Sequence, residues 1–177
     1  VRIVLNSLGS EDYGLYNVIG GVVVLFSFLT STLASASQRY FAFEIGRNDY
    51  DKLNKIFSLI LLLYILVGVF IVILGETIGL WFIKTQMTIP DNRMSSAIII
   101  YQFSIISFVV SIVTSPFQAL IIAHENMNIY ALAGIIEAVF KLIIAFSFKY
   151  LPIDNLIAYG LLVMLSHLII NLFYILY

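Results

Sequence analysis

The chain contains no cysteine in its 177 residues, which rules out disulfides, thiolate nucleophiles and cysteine-held metals. Charge is nearly as scarce. Lys, Arg, Asp and Glu make up 11% of the residues, and nine bases against ten acids leave a net charge of −1. A soluble domain of this length needs a charged surface that this composition cannot supply. The few bases are scattered, so no nucleic acid partner is expected. Histidine occurs only at His124 and His167, too far apart to suggest a metal spacing. Period-two alternation is missing from the apolar runs, which argues against strands and a membrane barrel. No basic opening, short apolar stretch and small-residue cleavage pattern leads the chain, so no signal peptide is read.

What remains is mostly apolar: 62% hydrophobic residues and a mean hydropathy of +1.05. Crossing a bilayer takes about 20 mainly apolar residues. Five segments meet that length: 14–37, 56–74, 96–122, 128–150 and 156–177. The stretches between them (39–55, 76–94, 124–128 and 151–155) carry charge, Pro, Asn or Gly, as turns at a water interface do. Trp81 and Phe82 suit an aromatic belt or a short interfacial helix. The expected fold is therefore all-α: one polytopic membrane helix bundle over 1–177, with five transmembrane helices. Val1 opens the chain in what reads as a loop approach, and "NLFYILY" ends it inside an apolar segment, so a piece of a longer membrane protein is expected. Arg39, Arg47, Lys52 and Lys55 lie on one side; Arg2, Lys84, Arg93 and Lys149 lie on the other. The totals are equal, but the clustering of four bases in 39–55 points to a cytoplasmic placement for that loop.

The spans differ in their faces. Segment 56–74 is apolar all round apart from Ser58, Tyr64 and Gly68, as expected for a lipid-facing helix. The other four carry small or polar stripes at helical spacing. These are Ser27, Thr30, Ser31, Ala34, Ser37 and Gln38 in the first, and Ser104, Ser107, Ser111, Thr114, Ser115 and Gln118 in the third, where Pro116 is expected to kink the helix. The fourth stripe is Tyr130, Gly134, Glu137, Lys141 and Ala145; the fifth is Gly160, Met164, His167, Asn171 and Tyr174. Unpaired polar groups are costly in hydrocarbon, so the stripes should turn inward, either to pack helices closely or to line a water-filled cavity.

In "IIEAVFKLIIAF" (135–146), Glu137 and Lys141 stand one turn apart among apolar residues. They can satisfy each other at i, i+4. Such a pair gains nothing over apolar packing, however, because desolvation often outweighs attraction, and ionisable groups at this depth commonly mark a pathway. His167 and Asn171 fit interhelical hydrogen bonding or a pathway, and Arg39 at a span end fits snorkelling or a substrate contact. Gln118 and Ser111 complete the candidate set.

"LGSEDYGLYNVIGGVVVLFSFL" followed by "SQRYFAFEIGRNDYDKLNKIF" resembles the opening of the multidrug/oligosaccharidyl-lipid/polysaccharide (MOP) flippase superfamily. The residues that carry the resemblance are Leu8, Gly9, Tyr13 and Gly14, then Arg39, Gly46, Asp49 and Lys52. "IPDNRMSSAIIIYQFSIISFVVSIVTSPFQALIIAHENMNIYA" is similar to the polysaccharide-export branch, with a proline-containing helix ending in a short His/Glu/Met loop. The resemblance covers essentially the whole chain. It implies helices two to six of a twelve- to fourteen-helix transporter, most of its N-terminal lobe, with the first helix and the C-terminal lobe lying outside this chain. It also implies alternating access, a bacterial inner-membrane location with 39–55 in the cytoplasm, and Arg39 as a site residue.

The expected function is a flippase for lipid-linked oligosaccharide or polysaccharide precursors. Its partners would be membrane lipid, the lipid-linked saccharide and the missing C-terminal lobe. No cofactor is expected, and a coupling ion, H+ or Na+, is left open. A cation-coupled multidrug and toxin extrusion transporter is the alternative on the same fold. A glycan polymerase or ligase is disfavoured, because the loops are short and hold no clustered acid/base set, so no enzymatic activity is expected.

Overall fold

A computed structural model describes residues 2–24, 27–90, 92–148 and 154–177, without the side chains of 2, 3, 6, 7, 22–24 and 27–29. Ser27 of the first stripe, Arg2, Lys149 and most of the 151–155 turn therefore fall outside the described side chains. Among the described residues the chain is helical throughout, without strands: α1 (Arg2–Val24), α2 (Ser27–Gly46), α3 (Tyr50–Leu74), α4 (Leu80–Thr85), α5 (Met94–Ala123), α6 (Met127–Ser147) and α7 (Asn155–Leu176). Four described helical rods are long and apolar enough to cross a membrane: Tyr50–Thr85, α5, α6 and α7. The expected first span, 14–37, has helical residues at 14–24 and 27–37. The protein is an all-α membrane helix bundle.

The turns are shorter than the charge pattern suggested. The 39–55 loop contracts to 47–49, because Arg39 lies inside α2 while Lys52 and Lys55 lie in α3. Asn48 makes the reversal at φ 54, where its amide bonds the Ile45 carbonyl (3.0 Å) and Asp49 bonds that of Glu44 (3.2 Å). This is a Schellman closure, and Asp49 then caps α3 by accepting from the Lys52 amide at 3.1 Å. Glu125 (φ 61) closes α5 the same way. The opening residues are helical rather than a loop approach, broken at Gly9, whose φ 83 and ψ 166 only glycine adopts freely.

The 76–94 separator is also corrected. A π-helical turn, Gly75–Gly79, carries α3 on into α4 as far as Thr85, so Trp81 and Phe82 sit exposed on a short helix, as expected, but one continuous with α3. The Tyr101 hydroxyl of α5 donates to the Gly75 carbonyl at 2.9 Å, in contact too close for a Cβ at Gly79. Pro116 lies inside a continuous α5.

Helix α5 is the central post, packed by α1, α2, α3 and α7, with α6 resting chiefly on α7. Phe41, Leu53 and Ala119 cluster where α2, α3 and α5 meet at the end bearing the α2–α3 and α5–α6 turns. On α3, Tyr64, Gly68 and Ile71 are the inward positions of the span, while Leu59, Leu62, Leu66, Val69, Phe70 and Ile73 stand exposed. That is the lipid-facing arrangement expected of a plain apolar span. Ser58, however, faces outward, with its hydroxyl bonded to the Asn54 carbonyl.

Candidate functional site

The stripes on α2, α5 and α7 converge on a groove. One cavity of about 330 Å³ is lined by Thr30, Ser31 and Ala34 of α2; Ser111, Ser115 and Gln118 of α5; Tyr130 and Glu137 of α6; and His167, Asn171 and Tyr174 of α7. A second, of about 250 Å³, continues toward the opposite end between Tyr16 and Gly20 of α1, Ser104 and Ser107 of α5, and Gly160 and Met164 of α7. Phe108, Ser111 and His167 belong to both cavities. From Ile100 to Gln118 the lining runs 18 helical steps along α5, or about 27 Å at a rise of about 1.5 Å per residue. That is close to the hydrocarbon thickness of about 30 Å. A third hollow, of about 380 Å³, begins at Tyr174 and runs past His124 and Asn126.

Two hydroxyls on this wall are engaged through their hydrogens. Ser104 and Ser107 donate to the Ile100 and Phe103 carbonyls at 2.9 and 2.8 Å. Each therefore presents lone pairs to the groove. Asn171 is buried and ties α7 to α5: its Oδ1 accepts from the Thr114 hydroxyl, and its Nδ2 reaches the Ser111 Oγ at 3.4 Å and the His167 carbonyl at 2.8 Å. Ser37 bonds Tyr64 between α2 and α3 at 3.1 Å. Helix packing and cavity lining, posed as alternatives by the stripes, thus coexist on the same faces.

The predicted site residues separate. Ser111, Gln118, Glu137, His167 and Asn171 share the 330 Å³ cavity. Lys141 does not line it. Its ammonium meets Glu137 Oε1 at 2.6 Å with the side chain 55% exposed, against 29% for Glu137. Helix α6 turns Ala133 and Ile144 into the bundle and leaves Gly134 and Lys141 open, so its stripe borders the groove without being enclosed. Among the described residues no Lys or Arg lines either of the two joined cavities; the cation that reaches them does so through Glu137. Arg39 is exposed on α2, away from both.

Two features escaped the sequence reading. Arg93, beside the first turn of α5, holds Asp12 of α1 through Nη2 (2.9 Å) and Asp154, the N-cap of α7, through Nη1 (2.5 Å). Asp12 precedes the 14–37 span. Burial raises its carboxyl above the ordinary value, and the opposing pull of Arg93 only partly offsets this. The three residues are 81 and 61 positions apart, so no local spacing announces them. At the other end Glu44 is buried, and its Oε2 has no hydrogen-bond partner among the described residues.

The described residues hold no group of three His, Asp or Glu placed to bind a metal ion. Chemically the groove offers hydroxyl and amide oxygens, an imidazole, aromatic faces and one carboxylate. No family model, curated protein or solved structure matches the chain.

Proposed function

We propose that this chain forms one wall of a translocation path for an amphiphile with a hydroxyl-rich head, in the manner of a flippase for lipid-linked saccharides in a bacterial inner membrane. The observation that carries this reading is the joined groove along α5 and α7, about a bilayer deep and lined by oxygen acceptors. Sugar hydroxyls are donors that such lone pairs can receive in place of water, and Phe103, Phe108 and Tyr174 supply apolar faces for the sugar rings. The exposed apolar flanks of α3, α6 and α7 keep the wall in lipid. A pyrophosphate would need cationic donors beyond those of this wall. Lys141 can serve only if Glu137 releases it. Protonation of Glu137 would do so, which gives a coupling proton a place to act.

The second reading, cation-coupled drug efflux, rests on Glu137 as the one carboxylate among the described residues that faces the groove. Reconstitution of the protein into vesicles, with each substrate offered in turn, separates the two. The proposal predicts movement of a lipid-linked oligosaccharide. Ser111→Leu, where the cavities join, should slow it about 5- to 150-fold if a packing cost of about 1–3 kcal/mol falls on the transport barrier. Ser58→Leu on the outer face of α3 should leave the rate unchanged. Transport of a cationic drug without movement of the lipid-linked sugar would favour the second reading.

A further inference from the structure

The groove has unlike ends. Toward the α5–α6 turn only the buried side chain of Tyr174 stands between it and the hollow beside His124. Toward the start of α5 it stops at a packed layer. There Tyr16 of α1 meets Tyr159 of α7 edge to face at 4.9 Å, and Phe148 meets Tyr159 at 5.6 Å. Leu8, Ala97 and Leu156 are buried in the same cluster. One turn beyond, the Asp12–Arg93–Asp154 triad joins the three helices whose faces line the 250 Å³ cavity. We propose that the aromatic layer and the ion triad together form a releasable closure of that end of the groove, dry inside and ionic outside.

Three observations favour a releasable closure over a fixed brace. The outer pair of the triad is partly wet, with the side chains of Arg93 and Asp154 each 32% exposed against 10% for Asp12, so water can replace Asp154 at Arg93 as they part. Asp12 is buried while its partner Arg93 is partly exposed, and for such a pair the cost of desolvation offsets much of the attraction. Gly9, three residues before Asp12, breaks α1 with a backbone only glycine adopts freely. The arm before it inserts Val4 and Leu8 into the same packed layer, and a joint at Gly9 allows that arm to swing without unwinding the rest of α1.

The closure rests on the groove being a path, but its test needs no substrate. The chain has no cysteine, so Ser104→Cys places a single thiol in the 250 Å³ cavity. Sealed vesicles holding the protein receive a membrane-impermeant maleimide on the triad side. Labelling should be slow in the otherwise unchanged protein and several-fold faster with Arg93→Gln. Arg93→Lys, which keeps the charge but not the fork that holds two carboxylates, should fall between. If Arg93→Gln fails to fold, Asp12→Asn serves, because Arg93 keeps Asp154 and no charge is stranded; it too should speed labelling. Unchanged labelling in a folded Arg93→Gln or Asp12→Asn protein would overturn the closure, whatever happens to transport. Faster labelling in a protein that moves no lipid-linked sugar would support the closure and count against the transport reading alone.

Discussion

Asn171 shows how one residue can serve both packing and path. Its amide joins Thr114, Ser111 and the His167 carbonyl, and it also lines the larger cavity. Asn171→Leu keeps the branched shape in a larger side chain and removes these bonds, so it should cost about 1 kcal/mol or more, measured by unfolding in detergent. A neutral effect would mean that the bonds are matched by others in the unfolded membrane state. Helical spacing alone put His167 and Asn171 on one face, and the structure places both in the groove. Spacing could not show that Lys141 stands outside it. The i, i+4 rule fixes which residues are neighbours on α6, whereas exposure depends on how far α6 leans from α5. The Arg93 triad lay beyond reach for a similar reason, since charges that look like ordinary interface residues meet only after α1, α5 and α7 assemble.

At the scale of elements, the continuous apolar runs made the membrane helices legible, and the charged separators located the reversals. The separators overstated the turns because Arg39, Lys52, Lys55 and Lys84 ride on helices at the interface, where a charged side chain is compatible with helical backbone. The π turn after α3 had no local signal. It is held by Tyr101, 26 residues away from Gly75, and by close approach at Gly79. A Cβ at Gly79 would lie 1.8 Å from the Tyr101 hydroxyl oxygen. Because Tyr101 is fully buried, it cannot swing clear. Gly79→Ala should therefore destabilise the bundle by about 2 kcal/mol, by overpacking and loss of the Gly75 bond. The same change in a Tyr101→Phe background should cost less, and this non-additivity is readable in a double-mutant cycle. Equal costs in both backgrounds would place the strain elsewhere.

Across the whole molecule, one bundle presents an apolar outside and a polar seam. Helix α7 displays the division most sharply. Met164, His167 and Tyr174 face the groove, while Leu165, Ile169 and Leu172 are exposed on its other side. Residues on the first face belong to water if the groove is a path; those on the second belong to lipid. Single cysteines placed along α7 of this cysteine-free chain, labelled in membranes with a water-soluble maleimide, test that division directly. The account predicts labelling at 164, 167 and 174 and protection at 165, 169 and 172. Protection at all six positions, or labelling at 165, 169 and 172 instead, would contradict it.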